Sequence, residues 1–424
     1  MLIQDLVEDL LGTDLPIGIR AYDGTRMGPP NPPATLVIHS KNALRRILTR
    51  PGELGFARAY VSGEVEIEGD IFGVIALQSR LPQVELNFRQ VLKGIKILGL
   101  RDLWPLAPPP EEARWRFGLR HSRRRDSSAL SAHYDLPNEF FRLILGPSLT
   151  YTCAVFESEY DSLEQAQANK YELICRKLAL GRGKRLLDIG CGWGGMAVHA
   201  AKHHGARVVG VTLSERQREY ANGRVREGGL EKLIEIRIQD FRDIDDGPFD
   251  AVSAIGLFEH VGLSRRSGYL PKVFSLLSNG GRFLNHAISR KPYIKEHLSR
   301  SGFADRYVFP DGELVEIGKV VSAVHKAGFD VRQVENLRDH YVPTLRHWAA
   351  NLERNWDEVA ALSSQGKARV WRLYLAGSAM RFAWNQLHVH QLLALKSEQG
   401  PGAVGMPLRP TWDGSLRIGA NDKD

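Results

Sequence analysis

The chain is poor in cysteine: Cys153, Cys175 and Cys191 are the only three in 424 residues. An odd count without paired spacing indicates neither a disulfide framework nor a zinc site, and a reducing cytoplasm is the simplest compartment. No apolar run approaches the roughly 18 residues that crossing a bilayer requires. The N-terminus has no basic segment ahead of an apolar one, so no secretory signal is expected. Any encounter with a membrane is therefore expected at its cytoplasmic face, as a peripheral protein. Internal repeats and long low-complexity segments are missing as well. Acid is outnumbered: 57 Lys and Arg stand against 49 Asp and Glu, a net charge of +8. That excess favours an anionic partner, whether nucleic acid, an anionic membrane surface or an acidic carrier.

What is present is organised around one turn. Leu186-Leu187-Asp188-Ile189 reads as a buried parallel strand running into Gly190-Cys191-Gly192-Trp193-Gly194-Gly195, and Met196 to Ala201 continue as a helix. Gly190, Gly192 and Gly195 satisfy G-x-G-x-x-G, in which glycine lets backbone approach a ligand and the helix beyond offers free N–H groups. A tight turn with no ligand satisfies the pattern equally well. A dinucleotide site wants an acidic residue at the end of the next strand, roughly 20 residues on. That strand, Ala206 to Val211, ends in Thr212-Leu213-Ser214 with no carboxylate before Glu215, which disfavours NAD. The acid lies instead inside the first strand, at Asp188. Asp-x-Gly-x-Gly resembles the first motif of the class I S-adenosylmethionine (SAM) methyltransferases, which implies that the turn lies against the amino-acid and ribose part of SAM.

The chain divides, on sequence, into a small mixed α/β domain over 1–104, a Pro/Arg-rich linker over 105–126, a methyltransferase domain with a C-terminal helical cap over 127–400, and an irregular tail over 401–424. Residues 2 to 11 place Leu2, Ile3, Leu6, Val7, Leu10 and Leu11 on one helical face, with Asp5, Glu8 and Asp9 opposite. An acidic polar face suits a docked surface helix better than a membrane anchor. The tract Arg114, Arg116, Arg120, Arg123, Arg124 and Arg125 reads either as a solvated face or as a surface for lipid head groups. With only Trp115 and Phe117 for stacking, nucleic acid is the weaker partner. From Ser162 onward strands and helices alternate: strands at 186–189, 208–211, 233–238, 249–255 and 281–288, with Ser162/Gln165 as a capping box and Ser214 with Gln217 capping the helix after the second strand. This predicts a doubly wound, mostly parallel sheet whose ligands bind at the carboxyl ends of the strands. Residues 344 to 361 and 366 to 396 read as long helices of the cap, and His203-His204 and His388-Val389-His390 as surface residues rather than metal ligands.

Further segments narrow the chemistry. His133-Tyr134-Asp135-Leu136-Pro137-Asn138-Glu139-Phe140-Phe141 is followed by Leu149 to Phe156, by the glycine turn, by Val211-Thr212-Leu213-Ser214 with Gln217, by Phe258-Glu259-His260-Val261-Gly262, by Asn285-His286-Ala287-Ile288, and by Asp339-His340-Tyr341. In this order and spacing the set resembles the cyclopropane fatty acid synthase family of lipid methyltransferases over residues 125 to 395, with the N-terminal unit more loosely like the extra domain of full-length bacterial members. The resemblance implies that SAM donates a methyl to a cis double bond in a phospholipid acyl chain. An alkene needs no base to activate it, but the resulting carbocation must be stabilised and then lose a proton. Family members hold a bicarbonate ion for that last task. By position its holders would be Cys153, Glu259, His286, the Ile288 backbone and Tyr341. SAM contacts carried over are Tyr151, Thr152, Asp188, Gly190, Gly192, Trp193, Gly194, Thr212, Leu213, Gln217 and Phe241, with Asp240 and Ile255 at neighbouring strand ends. Each residue has a plainer reading: Cys153 as small buried filler, Glu259-His260 as a helix N-terminal pair, His286 as a core histidine.

Two positions depart from the family. Ser378 stands where the shorter lipid-modifying members often have cysteine, which argues against a nucleophile there, and Phe241 stands where many relatives have Trp. The product is open between a cyclopropane and a methylene branch, which a separate reductase would turn into a methyl branch. A homodimer is expected. The alternatives are a class I methyltransferase of another small molecule, and a non-enzymatic lipid-binding protein.

Overall fold

The computed structural model describes residues 2–77, 99, 102, 104–113, 136–261, 266–292, 302–309, 312–397, 406–407 and 409–412. The basic tract 114–125 and the segment His133-Tyr134-Asp135 lie outside the described residues. The chain forms two compact units: Met1–Arg116 with Ser299–Pro310 and Leu352–Arg381, and Phe117–Leu298 with Asp311–Asn351 and Phe382–Asp424.

In the first unit a four-stranded sheet has the order β2-β1-β3-β4, with β1 at Gly18–Ala21, β2 at Arg26–Met27, β3 at Ala34–Ile38 and β4 at Val65–Gly69. The helix Leu2–Leu11 buries Ile3, Leu6 and Val7 and leaves Asp5 and Asp9 exposed, the docked arrangement its pattern predicts. Of the expected linker only 105–113 are described. Glu112 is buried and accepts from Arg58 Nε and Nη2, each at 2.7 Å, which fixes its segment to the first unit. Leu352–Arg381 also belongs to this unit. The reason is visible at Arg372, buried in the helix Gln365–Ala383. It donates to the Tyr60 hydroxyl at 3.1 Å, to the Ile67 carbonyl at 2.9 Å and to the Gly69 carbonyl at 3.2 Å. A guanidinium with several fixed donors ties that helix to the end of β4.

The second unit carries a seven-stranded sheet of order β10-β11-β9-β8-β5-β6-β7. Its strands are β5 Arg185–Ile189, β6 Arg207–Thr212, β7 Ile234–Ile238, β8 Phe249–Ile255, β9 Leu277–Arg290, β10 Asp330–Asn336 and β11 Leu387–Leu395. β7, β6, β5, β8 and β9 run parallel, whereas β11 is antiparallel to both β9 and β10. The central strands are buried on both sides: Leu186, Val208 and Ala251 point into one apolar cluster, Leu187, Val211 and Val252 into the other. The strand order reverses between β5 and β8, and a crevice opens outside the carboxyl ends at such a point.

Three expectations need correction here. Residues 366 to 396 are not one helix: it ends at Ala383, Asn385 takes φ 58°, and Leu387–Leu395 is a buried strand. Asn tolerates the left-handed region that ends helices. His390 consequently lies inside the sheet, buried, paired with the Ser289 hydroxyl at 2.8 Å, and is not a surface residue. His204 also turns inward. Ser162 and Ser214 cap their helices by accepting from Gln165 and Gln217 N–H, yet neither glutamine side chain completes a capping box. Gln165 donates to Asn169, and Gln217 accepts from Thr212. Among the described residues no helix is long and apolar enough to cross a membrane.

Candidate active site

β5 delivers Asp188 and then breaks into the turn. Gly190 and Gly194 take φ of 76° and 79°, and the Gly190 and Cys191 N–H groups donate to the Val211 carbonyl, binding the turn to the end of β6. A side chain on Gly192 would meet nothing within 4 Å, so the turn presents bare backbone to open space, as a cradle for a ligand requires. Trp193 donates from Nε1 to Asn138 at 2.8 Å, and its ring lies against Phe141. Asp188 is buried and accepts from the Ser253 hydroxyl at 2.7 Å. Burial pushes its carboxyl up to about 6, and Ser253 and Lys170 offset part of the rise.

The other strand ends surround this turn. After β6, the Thr212 hydroxyl donates to Gln217 at 2.9 Å, while Leu213 is exposed. After β7, Asp240 is engaged by its neighbour Arg242, and Phe241 meets Tyr269 edge-on with ring centres 5.1 Å apart. Ile255 closes β8, and the following Gly256 donates to the His286 carbonyl in β9. A side chain on Gly256 would strike the Thr152 methyl at 2.8 Å, so Thr152 packs directly on that junction. The Tyr151 ring lies 5.5 Å from Trp348, which lies 6.1 Å from Tyr341, and Tyr341 packs on Phe382 at 4.6 Å.

Cys153 is fully buried, with Sγ 3.3 Å from the Ala154 carbonyl and 3.7 Å from that of Leu337. Burial drives its thiol pKa upward and keeps it protonated. Glu259 is buried on the short helix Phe258–Val261, where its Oε1 accepts from the Ile288 N–H at 2.6 Å. Lys170, fully buried, donates to the Thr152 hydroxyl at 2.9 Å, and its charge acts on Asp188, Cys153 and His286 alike. Burial lowers Lys170 to about 7 against the pull of Cys153 and Asp188.

His286 is also buried, and a chain of side chains fixes its proton. Lys177 donates to Gln391 Oε1 at 2.7 Å, which turns the amide nitrogen toward His286 Nδ1 at 3.3 Å. Nδ1 therefore accepts, and the proton sits on Nε2. Burial, reinforced by Lys170, Lys177 and His390, holds the ring pKa well below its usual range, so it is neutral. Nε2 is a buried donor with no partner among the described residues.

The sequence pattern of mycolic acid cyclopropane synthetases matches residues 121–392. The chain belongs to this family. It is 43% identical over 412 residues to a probable fatty acid methyltransferase of Mycobacterium tuberculosis, spanning 94% of this chain and 95% of that protein. It is 32% identical over 365 residues to the cyclopropane-fatty-acyl-phospholipid synthase of Escherichia coli, spanning 85% and 87%. Among solved structures, mycolic acid cyclopropane synthase CmaA1 complexed with SAH and CTAB superposes with a TM-score of 0.60 at 33% identity, covering 64% of this chain and 98% of that one. This member of the mycolic acid cyclopropane synthetase family is thus a SAM-dependent lipid methyltransferase on a class I methyltransferase sheet.

Its glycine cradle and buried Asp188 fit SAM, a sulfonium cation with a ribose and an amino-acid tail. Of the five groups expected to hold a small anion, the structure already engages two elsewhere: the Ile288 N–H on Glu259, and the Cys153 thiol beside two carbonyls. His286 Nε2 remains. Lys170, Lys177, Gln391 and Trp348 were missed by sequence reasoning. Ser378 is half-buried within the first unit.

Proposed function

We propose that this methyltransferase acts on the cis double bond of unsaturated acyl chains in membrane phospholipids, giving a cyclopropane or a methylene branch. The observation that carries the reading is the neutral, buried His286 with its unspent Nε2 donor, one hydrogen bond away from the Gly256 junction on which Thr152 packs. SAM supplies an electrophilic methyl to the alkene. No residue has to activate the substrate, which agrees with a site whose thiol stays protonated and whose imidazole stays neutral. What the chain must do is surround a cationic carbon without offering it a nucleophile, exclude water, and hold a base. The faces of Tyr151, Trp348 and Tyr341 suit the first task. For the last, His286 Nε2 would grip a bicarbonate ion that supplies the base, with Glu259 orienting it. Loss of a proton from the migrating methyl closes a ring. Loss from a neighbouring carbon leaves a methylene branch, and a partner reductase would then act on it.

Drawing a mid-chain double bond out of a bilayer exposes roughly nine CH2 groups, a cost of about 7 kcal/mol in water at 0.8 each, so the protein must offer an apolar path of its own. The deciding experiment incubates the protein with labelled SAM and vesicles of unsaturated phospholipid, then analyses the acyl chains by mass spectrometry. One added CH2 per double bond is expected, as a ring or an exocyclic methylene. Label appearing only in a water-soluble acceptor would overturn the reading.

Docking to anionic membrane is assigned to the basic tract. Sedimentation with anionic vesicles is expected to weaken about tenfold or more on raising salt from 50 to 200 mM, and on reversing Arg123, Arg124 and Arg125 to Glu. Binding unchanged by either treatment would dismiss electrostatic docking.

A further inference from the structure

The helix Leu163–Lys177 presents Glu172 and Cys175, three residues apart and so on one face, toward the helix Gly195–His204, which presents His199 and His204. The Cys175 thiol and one ring nitrogen from each histidine all lie within 4.8 Å of one another. Glu172 Oε2 lies beside the two histidines, 3.2 Å from His199 Nε2 and 2.9 Å from His204 Nε2. We propose that Cys175, His199, His204 and Glu172 form a structural binding site for a zinc-class divalent metal ion.

The donor set selects the metal. One thiolate, two imidazoles and one carboxylate are borderline-soft ligands that suit zinc and not magnesium or calcium. Three ligands are already grouped, and the Glu172 carboxylate beside the histidines would close the fourth position, which marks a structural site. Charge balances: a divalent ion neutralises one thiolate and one carboxylate. The other Glu172 oxygen, Oε1, accepts from Arg176 Nε at 2.7 Å, an outer contact that aims Oε2 at the histidines. Cys175, His199 and Glu172 are buried, and His204 is partly open to solvent, which gives the ion a way in. Closing the site asks the ligand atoms to draw in by about 1 Å, since zinc sits about 2.0–2.3 Å from nitrogen and sulfur. The bound ion would clamp the helix that leaves the glycine turn onto the helix preceding β5, and so steady the cofactor cradle from behind.

The test uses the full chain without an affinity tag of histidines, stripped with chelator and titrated with cobalt(II) and zinc(II). Cobalt is expected to bind one per chain, with tetrahedral d–d bands and a thiolate-to-cobalt charge-transfer band. Zinc is expected to compete it off and to raise the unfolding midpoint by about 5 °C. In Cys175→Ser the charge-transfer band disappears, and in His204→Asn, which alters a partly exposed side chain, affinity falls at least tenfold. No cobalt spectrum, or a charge-transfer band that survives Cys175→Ser, overturns the proposal. Methyl transfer is not the readout, so failure here leaves the enzymatic reading standing.

Discussion

His286→Leu is expected to lower turnover on unsaturated phospholipid vesicles about 100-fold, while the affinity for SAM changes less than about threefold. The size follows from removing one preorganised buried donor from an anion site, which costs about 100-fold or more in comparable settings. The selectivity follows from position. His286 lies in β9, beyond Gly256, whereas the glycine cradle follows β5. The relay behind the ring gives a sharper test. Because Lys177 holds Gln391 Oε1, the amide nitrogen faces Nδ1 and the proton belongs on Nε2. Gln391→Glu puts an acceptor where that donor was. The ring then turns its proton to Nδ1 and presents a lone pair to the anion. Its loss is expected to match that of His286→Leu, although the substituted atom never touches substrate. Gln391→Leu leaves either tautomer available and is expected to cost about tenfold. Steady-state kinetics separates these cases, with calorimetric SAM binding as the control. Full turnover in His286→Leu would remove the ring from the mechanism.

The parallel part of the sheet is legible in the sequence because its strands are short apolar runs bounded by turns, and because Asp188 to Gly195 punctuates strand, turn and helix within eight residues. The antiparallel edge is not. Leu387-His388-Val389-His390-Gln391-Leu392-Leu393-Ala394-Leu395 is apolar enough to prolong a helix, and only its insertion between β9 and β10 decides otherwise. One local signal was available: Asn385, just past the helix, is a residue that accepts positive φ. Lysines mislead more deeply. Gln167, Lys170, Ile174 and Lys177 fall on one helical stripe, and all four are buried. A lysine is ordinarily read as solvent-facing. Here Lys170 satisfies Thr152, and Lys177 satisfies Gln391 and Glu335, partners from segments far away in sequence. The site's polar scaffold was therefore hidden, although the groups it positions were not.

Asp188→Asn is expected to make the protein more stable and its cofactor site worse. The Asp188 carboxyl is fully buried and titrates near 6 in the folded chain, above its ordinary 3.8. A folded pKa above the unfolded one means that the folded state holds the proton more tightly. The stabilising contribution is complete below pH 4 and is lost as pH rises through 6. The difference of about two pH units corresponds to roughly 3 kcal/mol of stability forgone at pH 7 and above. Asparagine keeps an acceptor for the Ser253 hydroxyl and carries no charge to desolvate. The two proteins should therefore unfold alike in urea at pH 4, diverge between 4 and 6, and stay apart by up to about 3 kcal/mol at pH 8. SAM reverses the ranking. It brings positive charge to the turn that follows Asp188, which favours the ionised form, so the wild-type chain should gain more stability from SAM than the variant does. A urea midpoint difference independent of pH would show that Asp188 is not the group being desolvated. Equal stabilisation of both proteins by SAM would show that its charge does not serve the cofactor. The wild-type residue is then understood as a cost in stability, of order 3 kcal/mol, that is recovered when the sulfonium ligand binds.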